Sequence, residues 1–291
     1  MSELNPTGEG FRLKTIKLRG QISQGLVVPL VPFSFMGKNF QGIMTLDGTH
    51  QAVELDDDVS EALGVVKWDP PLPATLSGRA RGNFPSFIPK TDQERIQNIK
   101  PETLEKFRTE LFEITLKLDG SSMTAFAQND RVGVCSRNLE LDYENDPDTT
   151  FARVFRESGL AAALRSGKYD GLAIQGELMG PGIQGNRENL REHMFYVFDV
   201  YDINRGVYLD PMSRHKLVAR LYSEDNVRIE HCPVLVEAYD VCRKTKEQIL
   251  DMARGPSMVH PVREGLVFKC ITDPSFSFKA ISNDYLLQGG E

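Results

Sequence analysis

Ten residues, Glu113 to Ser122 (EITLKLDGSS), constrain the fold more than any other stretch of the chain. Polar and apolar side chains alternate over 113–118, with β-branched Ile114 and Thr115, which is strand patterning. Asp119-Gly120 ends that strand in a turn, and Lys117 falls where the strand runs out. Glycine in such a turn lets a ligand approach the backbone closely. A lysine at its mouth is suited to covalent catalysis once the amine is deprotonated. A solvated lysine on a hairpin edge fits Lys117-Leu118-Asp119-Gly120 at least as well, so the remaining sequence has to decide between the two.

Composition narrows the class. The 291 residues are 40% hydrophobic and 26% charged, as in an ordinary globular protein with one large domain, or a domain of about 200 residues plus a smaller module. The first residues, MSELNPTGEG, lack the apolar core of a signal peptide, and no run of about 18 apolar residues occurs. The four cysteines (135, 232, 242 and 270) are scattered, without C-x-x-C spacing, and Cys135 and Cys270 read as core. Structural zinc is therefore not expected, and a cytoplasmic (intracellular) setting without membrane contact is. A formal charge of −7 argues against coating nucleic acid by bulk electrostatics. It leaves room for a local basic track: Arg12, Lys14, Lys17 and Arg19, interleaved with Leu13, Ile16 and Leu18, form either a solvated strand face or a phosphate-facing one.

In chain order, 11–19 and 25–30 read as strands joined by a glycine-bounded connector, with a further strand near 42. Asp56, Asp57 and Asp58 then open a short helix over 59–64. Five prolines and two glycines between 67 and 90 mark a linker. The expected domains are thus a β module over 1–66, the linker over 67–90 and a larger domain over 91–291. Thr91-Asp92-Gln93-Glu94 has capping-box spacing and predicts a helix through residue 99, and Pro101 starts another over 102–111. A β-meander follows, with Lys117 on its first strand and a turn at Asn129-Asp130. Then come a helix over 149–166, strands over 171–178 and 194–202, a helix near 213–222, a strand over 232–239, a helix from the Thr245 capping box and two closing strands. The class is α+β, with largely antiparallel sheets and helices packed outside.

Three motifs fail on inspection. Gly180-Pro181-Gly182-Ile183-Gln184-Gly185 matches G-x-G-x-x-G by letter, but the next strand begins near Met194 and leaves no room for a crossover helix. Gly37-Lys38 and Gly167-Lys168 lack the Ser or Thr of a phosphate-binding loop, and Ser23 lacks the flanking glycine pair of a nucleophile elbow, since position 21 is Gln.

What carries weight is a series of strand-end motifs in fixed order. After Lys117-Leu118-Asp119-Gly120 come Ser136-Arg137-Asn138, Gly176-Glu177-Leu178, Phe195-Tyr196-Val197-Phe198-Asp199, Glu264-Gly265-Leu266-Val267-Phe268-Lys269 and Ser277-Phe278-Lys279. The series resembles the covalent nucleotidyltransferases, which comprise RNA ligases, DNA ligases and mRNA-capping enzymes, over roughly residues 90–287. DNA ligases and capping enzymes continue into an OB domain after the last motif. Here about a dozen residues remain, which favours an RNA ligase. Upstream, KTIKLRGQISQGLVVPL, LGVVKWDPP and FPSFIPKTDQERIQN are similar to RNA ligases with an N-terminal OB-type domain, of the Deinococcus and Naegleria kind. Those relatives have a longer N-terminal region, so the OB-like module here begins partway through.

The resemblance implies a nucleotidyltransferase (adenylation) domain and an ATP-dependent RNA ligase, with Mg²⁺ or Mn²⁺ as cofactor and ATP and RNA or nicked duplex ends as partners of a monomer. Lys117 attacks the α-phosphorus of ATP and expels pyrophosphate; AMP then passes to a 5′-phosphate, and a 3′-hydroxyl displaces it. Deprotonating a free lysine of pKa about 10.4 at pH 7 costs roughly 4.6 kcal/mol, and neighbouring cations reduce that cost. Lys269 and Lys279 are assigned this role together with charge stabilisation on the phosphate, and Glu264 that of a metal carboxylate. Glu177 is expected to hold a ribose hydroxyl, Phe198 to stack on adenine and the backbone at Leu116 to read the adenine edge. Asp119 and Gly120 shape the turn, Arg95 meets the phosphates, and Arg137 the nucleotide or RNA end. Ser277 departs from the Lys-x-Lys pattern of many relatives, leaving Lys279 alone in the last motif. A DNA-strand ligase, a GTP-using relative and a non-catalytic nucleic-acid-binding relative remain as alternatives.

Overall fold

The computed structural model describes residues 16–18, 21–23, 30–35, 37–45, 48–54, 57, 59, 62–63 and 78–289. The chain divides into two compact units, Met1–Pro71 and Leu72–Glu291. In the first, β1 (Ile16–Leu18) pairs antiparallel with β2 (Gln21–Ser23). β3 (Val31–Phe35), β4 (Lys38–Met44) and β5 (His50–Ala52) form an antiparallel meander. Phe33 stacks between Phe40 and His50, with ring centroids 5.5 and 5.1 Å away. β2 occupies the segment expected to be a connector. The strand expected over 25–30 lies, except for Leu30, outside the described residues, as do Arg12, Lys14 and Arg19 of the basic track. Of the helix expected over 59–64, Ala62-Leu63 forms a turn, while Ser60, Glu61 and Gly64 are outside the described residues.

The second unit is built on two sheets. One has eight strands: β6 (Ala80–Asn83), β9 (Ser121–Gln128), β10 (Arg131–Cys135), β11 (Leu139–Leu141), β12 (Leu172–Met179), β13 (Met194–Asp202), β14 (Val207–Tyr208) and β15 (Glu230–His231). The other has five: β7 (Glu94–Arg95), β8 (Phe112–Lys117), β16 (Val234–Tyr239), β17 (Gly265–Cys270) and β18 (Ser277–Ile281), in the order β16-β8-β17-β18-β7. Pairing is antiparallel except for β13 with β15 and β7 with β18. Helices α1 (Pro101–Lys106), α2 (Thr150–Glu157), α3 (Leu160–Arg165), α4 (Pro211–Asp225), α5 (Lys246–Met252) and α6 (Asn283–Leu287) complete an α+β fold. Among the described residues no helix is long and apolar enough to cross a membrane.

Each sheet buries a core, and Phe126, Cys135 and Ala173 of the larger sheet bury a further small cluster with Phe84 and Ile88. Phe155, Leu160 and Leu164 of α2 and α3 and Leu221 of α4 cluster with Ile174 and Val197 of the larger sheet. Phe112, Ile114 and Leu116 of β8 cluster with Leu104, Ile249, Phe268 and Phe278. Each such side chain contributes about 1.5–3 kcal/mol of burial.

Tertiary pairing overrides local signals at several points. The expected meander does not form: β8 belongs to the five-stranded sheet and β9 to the eight-stranded one, so Asp119-Gly120 is a crossover between sheets. Of the short helix expected from the capping-box letters at 91–94, only a 3-10 turn over Ile96–Asn98 forms, because Glu94 and Arg95 pair with β18 instead. α1 begins at Pro101 as expected but ends at Lys106, short of residue 111. The segment expected to be linker supplies β6, an edge strand of the larger sheet. Gly159, at φ +87°, splits the expected helix over 149–166 into α2 and α3. The capping box at Thr245 forms with both of its hydrogen bonds.

Candidate active site

The crossover opens a cleft of about 900 Å³ between the two sheets, and Lys117 stands in it. A Cβ on Gly120 would lie 2.6 Å from Leu178 O and 2.8 Å from Glu177 Cγ, so only glycine lets the turn rest against β12. The backbone of Gly120 in turn favours the ionised form of Glu177. Lys117 lies opposite Gly265 in the β8–β17 ladder, and its Nζ donates to Glu264 Oε1 at 2.5 Å. A Cβ on Gly265 would run into the Ala280 carbonyl, which explains the glycine after Glu264.

Asp119, Glu177 and Glu264 thus line the cleft together with Lys117. Burial pushes Glu177 up to about 8; Lys117 opposes the shift and Glu264 adds to it. Burial also raises Glu264, again against Lys117. Glu264 Oε2 is buried without a hydrogen-bond partner. Such an oxygen among carboxylates suits a hard divalent cation. Among the described residues no three His, Cys, Asp or Glu side chains converge as direct ligands. The site therefore fits an ion that keeps much of its water shell, as Mg²⁺ does.

Lys279, opposite Val267 on β18, lines the same cleft. Burial lowers its pKa, and Lys117 and Arg95 lower it further. Arg95 is exposed beside Lys279 in the β7–β18 pairing and does not line the cleft. Arg137 does, at the rim, where its Nη2 donates to Asp92 Oδ1 at 2.7 Å.

Phe198 enters the cleft because β13 bulges there. Gln175 pairs with Asp199 and Gly176 with Val197, which leaves Phe198 as the extra residue. Bulges of this kind re-aim a side chain. Leu116 also reaches the cleft, but its N–H donates to Pro233 O at 3.0 Å and its carbonyl accepts from the Cys232 thiol at 3.0 Å. Only a second carbonyl lone pair remains to read a base edge.

Lys269 is placed differently from the expectation. It lies opposite Glu113, four residues along β8 from Lys117, or about 13 Å of strand. It does not line the cleft, and 3% of it is exposed. Its Nζ donates to Phe198 O at 3.0 Å and ion-pairs with Asp199. It therefore holds the bulge that presents Phe198, and Lys279 is the cation beside Lys117.

Beneath the cleft lies a network that the sequence motifs do not mark. Arg214 of α4, fully buried, pairs with Glu113 and donates to His231 Nε2 at 2.9 Å, while His215 Nε2 is 2.8 Å from Glu113. Burial opposes ionisation of Glu113, but the Arg214 charge and the hydrogen bond from His215 outweigh it and hold the carboxyl below its ordinary value. Burial first, and Arg214 second, lower His231 to about 3, so its ring is neutral, with Nδ1–H donating to Cys232 O at 2.6 Å.

Comparison with known proteins agrees with this geometry. The RNA ligase family profile matches residues 110–281, and an OB-fold domain profile matches residues 2–30. Three structures of Naegleria gruberi RNA ligase are similar to the chain, each with a TM-score of 0.65. A point mutant with AMP and Mn is 42% identical, covering 95% of this chain and 76% of that one. A structure with PPi is 41% identical over the same shares, and a mutant with ATP and Mn is 39% identical over 94% and 78%. The chain belongs to the RNA ligase family. No curated protein compared by sequence matches significantly. Among the described residues of this RNA ligase, Arg187 and Tyr285 also line the cleft, although neither falls in the ordered motifs.

Proposed function

We propose that this RNA ligase is ATP-dependent and works through a covalent lysine–AMP intermediate on Lys117. The observation that carries the reading is the Lys117 amine in the cleft, on Glu264 and beside Glu177 and Lys279. The Naegleria structures with ATP, AMP, PPi and Mn support it by kinship.

In the first step the Lys117 lone pair forms an N–P bond to the α-phosphorus, the bond to the bridging oxygen breaks, and pyrophosphate leaves. A protonated lysine has no lone pair, so before attack the Lys117 ammonium must give up its proton to water and with it the ion pair to Glu264. Lys279, the neighbouring cation, disfavours the ammonium form and stabilises charge on the phosphate. Glu264, with its partnerless oxygen, would hold a divalent cation, which when bound supplies further charge at the phosphate. Phe198 stacks on the adenine, Glu177 takes a ribose hydroxyl, and Asp119 and Gly120 fix the turn. Arg95 and Arg137, outside the cleft and at its rim, meet phosphates and the RNA end. AMP then passes to a 5′-phosphate, forming a pyrophosphate link, and a 3′-hydroxyl displaces AMP to seal the strand. The substrate in this reading is a nick in a duplex, sealed by a monomer whose residues 1–66 form an OB-like module.

Incubation with ATP and Mg²⁺ followed by intact-mass measurement should show one adenylyl group per chain. Protein freed of AMP that gains no such mass would refute the covalent reading. Nicked duplexes ending in ribose or deoxyribose at the 3′-OH test the substrate, because selectivity for RNA rests on the 2′-hydroxyl. Equal sealing of both would remove the RNA preference.

A further inference from the structure

The C-terminal helix reaches the catalytic turn. The Tyr285 hydroxyl, on α6, donates to Asp119 Oδ2 at 2.9 Å. Arg187, in the loop between β12 and β13, approaches the same oxygen with its Nε at 3.9 Å. The two side chains also hold each other, since the Arg187 guanidinium lies 4.9 Å from the centre of the Tyr285 ring. Arg187 is fixed at its far end as well, donating from Nη2 to Val262 O at 3.1 Å, two residues before Glu264. One oxygen of Asp119 is thus held from two sides. No described residue makes a hydrogen bond to the other, Oδ1.

We propose that Tyr285 and Arg187 are positioning residues that lock the Asp119 carboxylate, two residues from Lys117, so that Oδ1 is presented to the cleft in one orientation. The α6 helix is then a working wall of the site. A carboxylate on a turn rotates freely about its side-chain bonds, and a group held in one geometry avoids the entropic cost of ordering during reaction. Burial and the adjacent Asp119 push the Tyr285 hydroxyl above its ordinary pKa, so it stays a donor over the pH range in which ligation is assayed. The Arg187 anchor ties the orientation of Asp119 to the strand start that carries Glu264.

The inference rests on Lys117 adenylylation, and the test separates the two. Single-turnover adenylylation with ATP and Mg²⁺ is measured for wild type, Tyr285→Phe, Arg187→Gln, Asp119→Asn and the two double variants that contain Asp119→Asn. Phenylalanine keeps the ring under Arg187 and removes only the hydroxyl. Its loss from a charged acceptor is expected to slow adenylylation at saturating ATP about ten- to a hundredfold. The KM for ATP should stay within about twofold, since uniform binding is untouched. Arg187→Gln, whose contact is longer, should slow the step less, by about three- to tenfold. In the Asp119→Asn background either substitution should add less than about twofold, because residues acting through one group do not combine additively. Wild-type rates in both single variants overturn the inference. Defects that multiply with that of Asp119→Asn overturn it too, since they place the effect elsewhere. Arg187→Gln decides alone if Tyr285→Phe fails to fold. A wild-type protein that gains no AMP instead refutes the covalent reading itself.

Discussion

Lys117 and Lys269 stand on neighbouring strands of one sheet, on the same face, at opposite ends of the β8–β17 ladder. Lys117 is about a quarter exposed, donates to a carboxylate whose second oxygen is partnerless, and sits in a cleft wide enough for a nucleotide. Lys269 is sealed, paired with Asp199 and bonded to the carbonyl of a bulged residue. The same side chain thus has an accessible partner at the mouth and a sealed one at the floor. Depth along the strand decides which. A charge at the mouth can change partners because water replaces the lost one; at the floor a broken pair leaves the remaining charge stranded.

Substitutions can break that contrast. The largest effect expected at the mouth, short of replacing Lys117, is from Lys279→Ala: adenylylation about a hundredfold slower or worse, read by single-turnover rates, with the melting temperature nearly unchanged. At the floor, Lys269→Met should do the reverse. Removing one partner of a buried pair costs about 3–5 kcal/mol, and for a unit of this size each kcal/mol lowers the melting temperature by about 2–4 °C. As the Phe198 bulge loosens, the KM for ATP should rise more than kcat falls. A Lys269→Met protein that melts like wild type but cannot adenylylate would place this lysine with the chemistry instead.

A smaller effect sharpens the account of the mouth through pH. Burial raises Glu177 to about 8 in the folded chain, above the value of about 4.3 for a free glutamate. Between those values the folded chain holds a proton that the unfolded chain has released. The corresponding stability is fully present below about 4.3 and is lost as pH rises through about 8. Glu177→Gln removes this loss, so thermal melts of the variant should exceed wild type at pH 9, with the difference shrinking toward pH 4.

Much of the fold was legible because local patterns agreed with tertiary pairing. The runs that became β12, β13, β17 and β18 alternate or are apolar throughout, and Thr245 carries a complete cap. The sequence misled where long-range pairing decided. Nothing local distinguishes a hairpin from a crossover at Asp119-Gly120; the difference lies in β8 finding β17 and β16 while β9 finds β12. The capping letters at 91–94 lost to pairing with β18 for the same reason. The ordered motifs placed Lys117, Asp119, Gly120, Glu177, Phe198, Glu264 and Lys279 around one cleft, with Arg137 at its rim. They could not tell Lys269 from Lys279, since both lie within apolar strands and only tertiary structure brings Phe198 O and Asp199 to Lys269. Arg214 and Tyr285 were invisible. One lies in the first turn of α4 and the other on a five-residue helix, and each acquires its role from a contact more than a hundred residues away.

The most direct test of the contrast between mouth and floor is peptide mapping of protein incubated with ATP and Mg²⁺. The adenylyl group should be found on the fragment bearing Lys117, with the fragments bearing Lys269 and Lys279 unmodified, and Lys117→Ala should carry none. An adduct on either of the other lysines, or one that survives Lys117→Ala, would contradict the account.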